Sequence, residues 1–176
     1  MRIGELLAEQ KESDGAPEKK GSTGSADPEL ISLRLYASQL KRTASRPLNV
    51  LIVDDEEPIL VFVERVLREA GYTTAVALDG PTAIAAVAKI GSIDVLVTDV
   101  MMPGMTGDEL ARRLRQADPR IKVLYLTGYS DRLFKEKTML WEGEAFLDKP
   151  CTITGLVQAI SLLLFGRFDP SSLLAP

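Results

Sequence analysis

Histidine is absent from the 176 residues, and cysteine occurs once. Without imidazole the chain cannot build a Ser-His-Asp triad, shuttle a proton through histidine or carry phosphohistidine itself. Any phosphoryl relay through histidine therefore needs a second protein. A single cysteine excludes an internal disulfide framework and leaves no Cys and His set for a zinc site. Apolar runs are short. The opening MRIGELLAEQKESDG lacks a signal-peptide core, and no stretch of about 18 apolar residues follows, so a cytoplasmic protein with no membrane contact is expected. Positive charge is not in excess: 21 Lys and Arg stand against 25 Asp and Glu, a net charge of −4 that argues against direct nucleic-acid binding. Carboxylates are plentiful, which keeps hard, oxygen-seeking cations in play. An apolar content of 45% is enough to bury the core of one ordinary domain.

Residues 1–26 are dominated by Glu, Lys, Gly, Ser and Ala and cannot offset the entropy of ordering, so a disordered extension is predicted. Residues 27–47 read as an amphipathic helix and linker. Asp27 supplies the cap, Pro28 the first helical position, and Leu33, Tyr36, Ala37 and Leu40 an apolar stripe. This segment either rests on its own domain or serves as a docking or dimerisation element. From Leu48 the texture changes to alternating strands and helices, and the net negative charge resides there. Strands are expected at Asn49–Val53, Thr73–Leu78, Ile93–Thr98, Ile121–Leu126 and Ala145–Leu147. Helices are expected at Pro58–Ala70, Pro81–Ile90, Gly107–Ala117, Asp131–Trp141 and Thr152–Phe165. Five strand–helix units over 48–166 imply an α/β fold: a doubly wound, five-stranded parallel sheet with helices on both faces. A short tail, 167–176, follows.

Ligands of such sheets bind beyond the carboxyl ends of the strands, where the strand order reverses. Asp54 and Asp55 follow the first strand and Asp99 follows the third. If those strands are neighbours, three carboxylates share one crevice, repelling by about 1 kcal/mol per pair in water and about 4 at an intermediate dielectric. A cation would relieve that cost. With only oxygen ligands at hand, Mg²⁺ is the natural occupant, because it keeps waters and leaves positions for a phosphate. Thr127 ends the fourth strand and Lys149 the fifth, adding a hydroxyl and a cation at the same edge. A nucleophilic carboxylate, a metal, a hydroxyl and an ammonium suit the acceptance of a phosphoryl group.

The segments VLIVDDEEP, LVTDVMMPGMTGDEL, VLYLTGY and AFLDKP, in this order and spacing, resemble the receiver domain of two-component response regulators over residues 48–166. TGYSD and FLDKPCTITGL are similar to receivers of hybrid histidine kinases. The resemblance implies a flavodoxin-like sheet of order 2-1-3-4-5. It implies that Asp99 is the phosphoacceptor and that Asp54, Asp55 and Asp99 bind Mg²⁺ with the backbone carbonyl of Met101. By the same resemblance Lys149 contacts the phosphoryl group, Thr127 bonds to it and moves, and Phe146 turns inward as an aromatic switch. Gly128 keeps the approach open, Met101 and Tyr129 flank it, and the Lys149–Pro150 peptide is cis.

The implied protein is a stand-alone signalling domain, not an enzyme beyond its own Mg²⁺-dependent phosphorylation and dephosphorylation. Its donor would be a sensor histidine kinase or a histidine phosphotransfer protein. Leu162 and Phe165 fall on the outer side of the last helix, so either Phe165 tucks under the tail or the face of the fourth and fifth helices binds a downstream protein target or a second copy as a homodimer, with Trp141, Phe168, Leu173 and Leu174 contributing. Only about ten residues follow the last helix, so no DNA-binding output domain is expected. Cys151 reads as a packing residue. Two rivals remain at this stage. A pseudo-receiver would act as a phosphorylation-independent interaction module. A phosphatase of the haloacid dehalogenase type wants an Asp-x-Asp pair, whereas Asp54 and Asp55 are adjacent.

Overall fold

The computed structural model describes residues 46–128 and 142–166. Within them the chain runs β1 (Asn49–Val53), α1 (Glu57–Glu69), β2 (Thr73–Ala77), α2 (Gly80–Ile90), β3 (Val95–Thr98), α3 (Gly107–Ala117), β4 (Lys122–Thr127), β5 (Glu144–Asp148) and α4 (Ile153–Phe165). The helix expected over 131–141, the segment 1–45 and the tail from 167 lie outside the described residues, as do Tyr129 and Trp141. All strand pairs are parallel, in the order β2-β1-β3-β4-β5, as expected. No described helix is long and apolar enough to cross a membrane.

Strand side chains alternate between two faces, and here both faces are covered, which is why β1, β3 and β4 read as unbroken apolar runs. Val50, Ile52, Val97, Leu124 and Leu126 meet Leu60, Val63 and Leu67 of α1 and Leu156, Val157 and Ile160 of α4. On the other face Leu51, Val53, Leu96, Val123 and Tyr125 meet Ala83 of α2 and Leu110, Ala111 and Leu114 of α3. The edge strand β2, TTAVA, is the more polar and the more exposed. In α4, apolar nearly all round, Phe165 packs against the first core while Leu162 is left 49% exposed.

Local signals set the helix ends. The side chains of Asp79, Thr106 and Thr152 accept hydrogen bonds from the backbone N–H of Thr82, Glu109 and Gly155, capping α2, α3 and α4. β3 begins two residues later than expected. Asp94 keeps backbone hydrogen bonds to Asn49 and Lys122 at the amino edge of the sheet, where its carboxylate accepts from the Asn49 N–H (2.8 Å) and from Arg46 in a bidentate pair (2.7 and 3.0 Å). Arg46, expected in a linker, is thus pinned to the sheet.

The start of α3 sits on the loop after β3. Gly107 donates its N–H to the Val100 carbonyl (3.0 Å), and a Cβ there would lie 2.0 Å from the Asp99 carbonyl oxygen. At Gly80 the nearest obstacle is instead the Met105 sulfur at 2.5 Å, the end of a flexible side chain. Gly107→Ala is therefore expected to cost roughly 3 kcal/mol. The thermal midpoint should fall by roughly 10 °C. Gly80→Ala should lose clearly less when thermal unfolding is followed by circular dichroism. An equal loss in the two variants would contradict the backbone clash.

Candidate functional site

Because β1 pairs with β3, Val53 lies opposite Thr98 and the residues that follow, Asp54 and Asp99, emerge side by side. Both are buried, whereas Asp55 is exposed. Each buried carboxylate is held in the same way. Asp54 Oδ1 accepts the Glu56 N–H (2.9 Å), and Asp99 Oδ1 accepts the Met101 N–H (3.0 Å). Their Oδ2 atoms take the Lys149 ammonium, at 2.7 Å from Asp54 and 2.8 Å from Asp99. Lys149 arrives from the end of β5, and its peptide to Pro150 is cis, as expected. The crevice therefore gathers residues from three strand ends.

Burial pushes the Asp54 carboxyl above the usual range, and the hydrogen bonds from Lys149 and the Glu56 N–H offset this only in part. For Lys149 burial opposes the charge, but the hydrogen bonds to Asp54 and Asp99 outweigh it and hold the ammonium above the usual lysine range. The lysine is thus a fixed cation facing the Asp99 carboxylate. One oxygen from each of Asp54, Asp55 and Asp99 lies within 4.8 Å of the others. An all-oxygen, all-carboxylate donor set with one exposed member fits a hard divalent cation that retains waters.

A family model for the response regulator receiver domain matches residues 50–161. The chain belongs to this receiver family. Relatives agree. The receiver is 36% identical over 127 residues to the transcriptional regulatory protein TrcR of Mycobacterium tuberculosis, covering 72% of this chain and 49% of that protein. It is 31% identical over 159 residues to the sensor kinase CckA of Brucella abortus, covering 90% of this chain and 15% of that protein. The chain thus spans about half the length of TrcR and a small part of CckA. Among solved structures, the receiver domain from hybrid histidine kinase CckA superposes with a TM-score of 0.56 at 32% identity, covering 66% of this chain and 98% of that one.

The other residues singled out from the sequence fall as follows. Thr127 closes β4 in register with Asp148 of β5, while the contacts expected of its hydroxyl lie outside the described residues. Gly128 is exposed, and a Cβ there would meet nothing within 4 Å, so the space beside it is open. Met101 is 37% exposed at the rim. Phe146 stands in register with Tyr125 on the neighbouring strand and packs, half-buried, against the core on the α3 side. Cys151 is half-buried, and burial pushes its thiol upward, as befits a packing residue.

Two features escaped the sequence. Glu56 brings a third carboxylate to Lys149, with Oε1 3.3 Å from the ammonium. Arg115, at the last turn of α3, donates to the carbonyls of Ile121 (2.8 Å) and Gly143 (3.1 Å) and to Glu144 Oε1 (2.7 Å). Tyr125, fully buried, places its hydroxyl 3.3 Å from Asp108 and 3.4 Å from Glu144. These contacts tie α3 to β4 and β5 beside Phe146. A tyrosine in the apolar run VLYL was the visible hint, since a buried phenol needs a polar partner.

Proposed function

We propose that the chain works as a stand-alone receiver in a phosphorelay, accepting a phosphoryl group on Asp99 from a histidine kinase or a histidine phosphotransfer protein. One observation carries this: the buried Asp99 carboxylate has one oxygen fixed by the Met101 N–H and the other on the Lys149 ammonium, next to Asp54. An Asp99 oxygen attacks phosphorus, a P–O bond forms, the P–N bond to the donor imidazole breaks, and the imidazole keeps that electron pair and takes a proton from solvent water to leave neutral. The donor histidine lies outside the 176 residues, which contain none. Likeness to the receiver of a hybrid histidine kinase supports a histidine donor.

Mg²⁺ would be held by Asp54, Asp55 and Asp99, with the Met101 carbonyl, and would neutralise charge on the transferring group. Lys149 binds a phosphoryl oxygen in exchange for its Asp99 contact. Thr127 donates its hydroxyl to another, and Phe146 turns inward as Thr127 moves. The changed surface of the last helices and β5 then biases binding of a protein target.

The test is incubation of the full chain with acetyl phosphate, with and without Mg²⁺, followed by intact-mass measurement. A gain of one phosphoryl group that requires Mg²⁺ and is blocked by EDTA is expected. No gain with acetyl phosphate or with any phosphohistidine protein would refute the proposal.

A further inference from the structure

The carboxylate of Glu56 has no evident task in its own helix. Glu56 is the N-cap residue of α1, yet its side chain makes no capping hydrogen bond, and glutamate is not a preferred cap. Its Oε1 lies instead 3.3 Å from the Lys149 ammonium. The three N–H bonds of that ammonium thus meet three carboxylates. Two of them, Asp54 and Asp99, are buried and tied to backbone N–H groups. The third is different in kind: the Glu56 side chain is 63% exposed, whereas the Lys149 side chain it contacts is 13% exposed. A carboxylate therefore stands on the solvent side of the cation that would receive the phosphoryl oxygens.

We propose that Glu56 is a positioning residue for donor selectivity: by screening Lys149 at the mouth of the crevice, it disfavours small free phosphoanions relative to a phosphoryl group delivered by a docked protein. The inference rests on Asp99 being the phosphoacceptor. A free acyl phosphate arrives as a dianion and has only the local field to hold it, so a carboxylate beside the receiving ammonium weakens its binding. A protein donor is held by contacts elsewhere on its surface, and the same repulsion is a small part of its binding. The chemistry is unchanged in either case: Asp99 attacks phosphorus and the P–O bond to acetate, or the P–N bond to imidazole, is broken.

The experiment compares the wild-type chain with Glu56→Gln and Glu56→Asp, first checking by circular dichroism that all three fold alike. Phosphorylation by acetyl phosphate is followed over a range of donor concentrations with saturating Mg²⁺, at low and at high salt. Glu56→Gln should lower the half-saturating concentration by about three- to tenfold at low salt, with a nearly unchanged limiting rate, and the gain should fade at high salt. Glu56→Asp, which keeps the charge, should stay near wild type. Phosphoramidate, which carries less negative charge, should gain less than acetyl phosphate. An unchanged or raised half-saturating concentration in Glu56→Gln, a change confined to the limiting rate, or a gain that persists at high salt would overturn the inference. Those outcomes leave the phosphoacceptor reading standing. A wild-type chain inert to every donor would overturn both.

Discussion

Asp99→Asn is expected to abolish phosphoryl uptake while leaving the fold in place. The amide has the shape of the carboxylate but neither its charge nor its nucleophilic oxygen, so the P–O bond cannot form. Its surroundings also punish the change in a specific way. Asp99 accepts on both sides, from the Met101 N–H and from the Lys149 ammonium. An amide has only one accepting atom, so whichever way it turns, an NH₂ group faces a donor. Against this, the repulsion between Asp99 and Asp54 disappears. The net effect on stability should stay within about 1 kcal/mol. Intact mass after incubation with Mg²⁺ and acetyl phosphate should show no phosphoryl adduct, with a far-ultraviolet circular dichroism spectrum like that of wild type. A variant that still gains the group would move the acceptor away from Asp99.

Lys149→Met should impair both chemistry and stability, and the stability loss should depend on metal and pH. Methionine removes the ammonium and leaves two buried carboxylates, Asp54 and Asp99, facing each other without their shared cation. Removing one partner of a buried ion pair leaves an uncompensated charge, and a loss of about 3 kcal/mol is expected in the metal-free protein. Asp54 already has its pKa raised by burial, and without the lysine that rise must be larger. A carboxyl whose folded pKa lies above its unfolded value holds its proton better in the folded state. The variant should therefore be most stable at acid pH and should weaken as pH rises through the elevated Asp54 pKa. Mg²⁺ should restore more stability to the variant than it adds to wild type, because there it does not compete with an ammonium for the same oxygens. Denaturant unfolding with EDTA and with Mg²⁺, at acid and neutral pH, measures all three effects. Equal metal-free stability, or an equal Mg²⁺ increment in both proteins, would contradict the bridging role.

Much of this was legible because the physics involved is periodic or local. A parallel sheet covered on both faces follows from runs such as NVLIV, which can only be apolar throughout if each face is covered, whereas the strand order came only with the resemblance to receivers. Asp54, Asp99 and Lys149 were visible because each stands one or two residues past a strand, and a parallel sheet gathers those ends. Glu56 was not visible, since its position reads equally as the acidic first turn of a helix, and its partner lies 93 residues away. The same holds for Arg115 and Glu144, 29 residues apart, which no period connects. The late start of β3 was hidden because nothing in the sequence shows that Asp94, whose N–H and carbonyl still bond to Asn49 and Lys122, turns its carboxylate to Arg46 and the Asn49 N–H.

That last pairing also divides the domain by polarity. Arg46 is clamped where β1 and β3 begin, and Asp99 lies where they end. The described residues therefore begin at one end of the sheet, while the cluster of Asp54, Asp99 and Lys149 lies at the other. A label or tether fixed at Arg46 would sit at the opposite end of β1 and β3 from the Asp99 carboxylate.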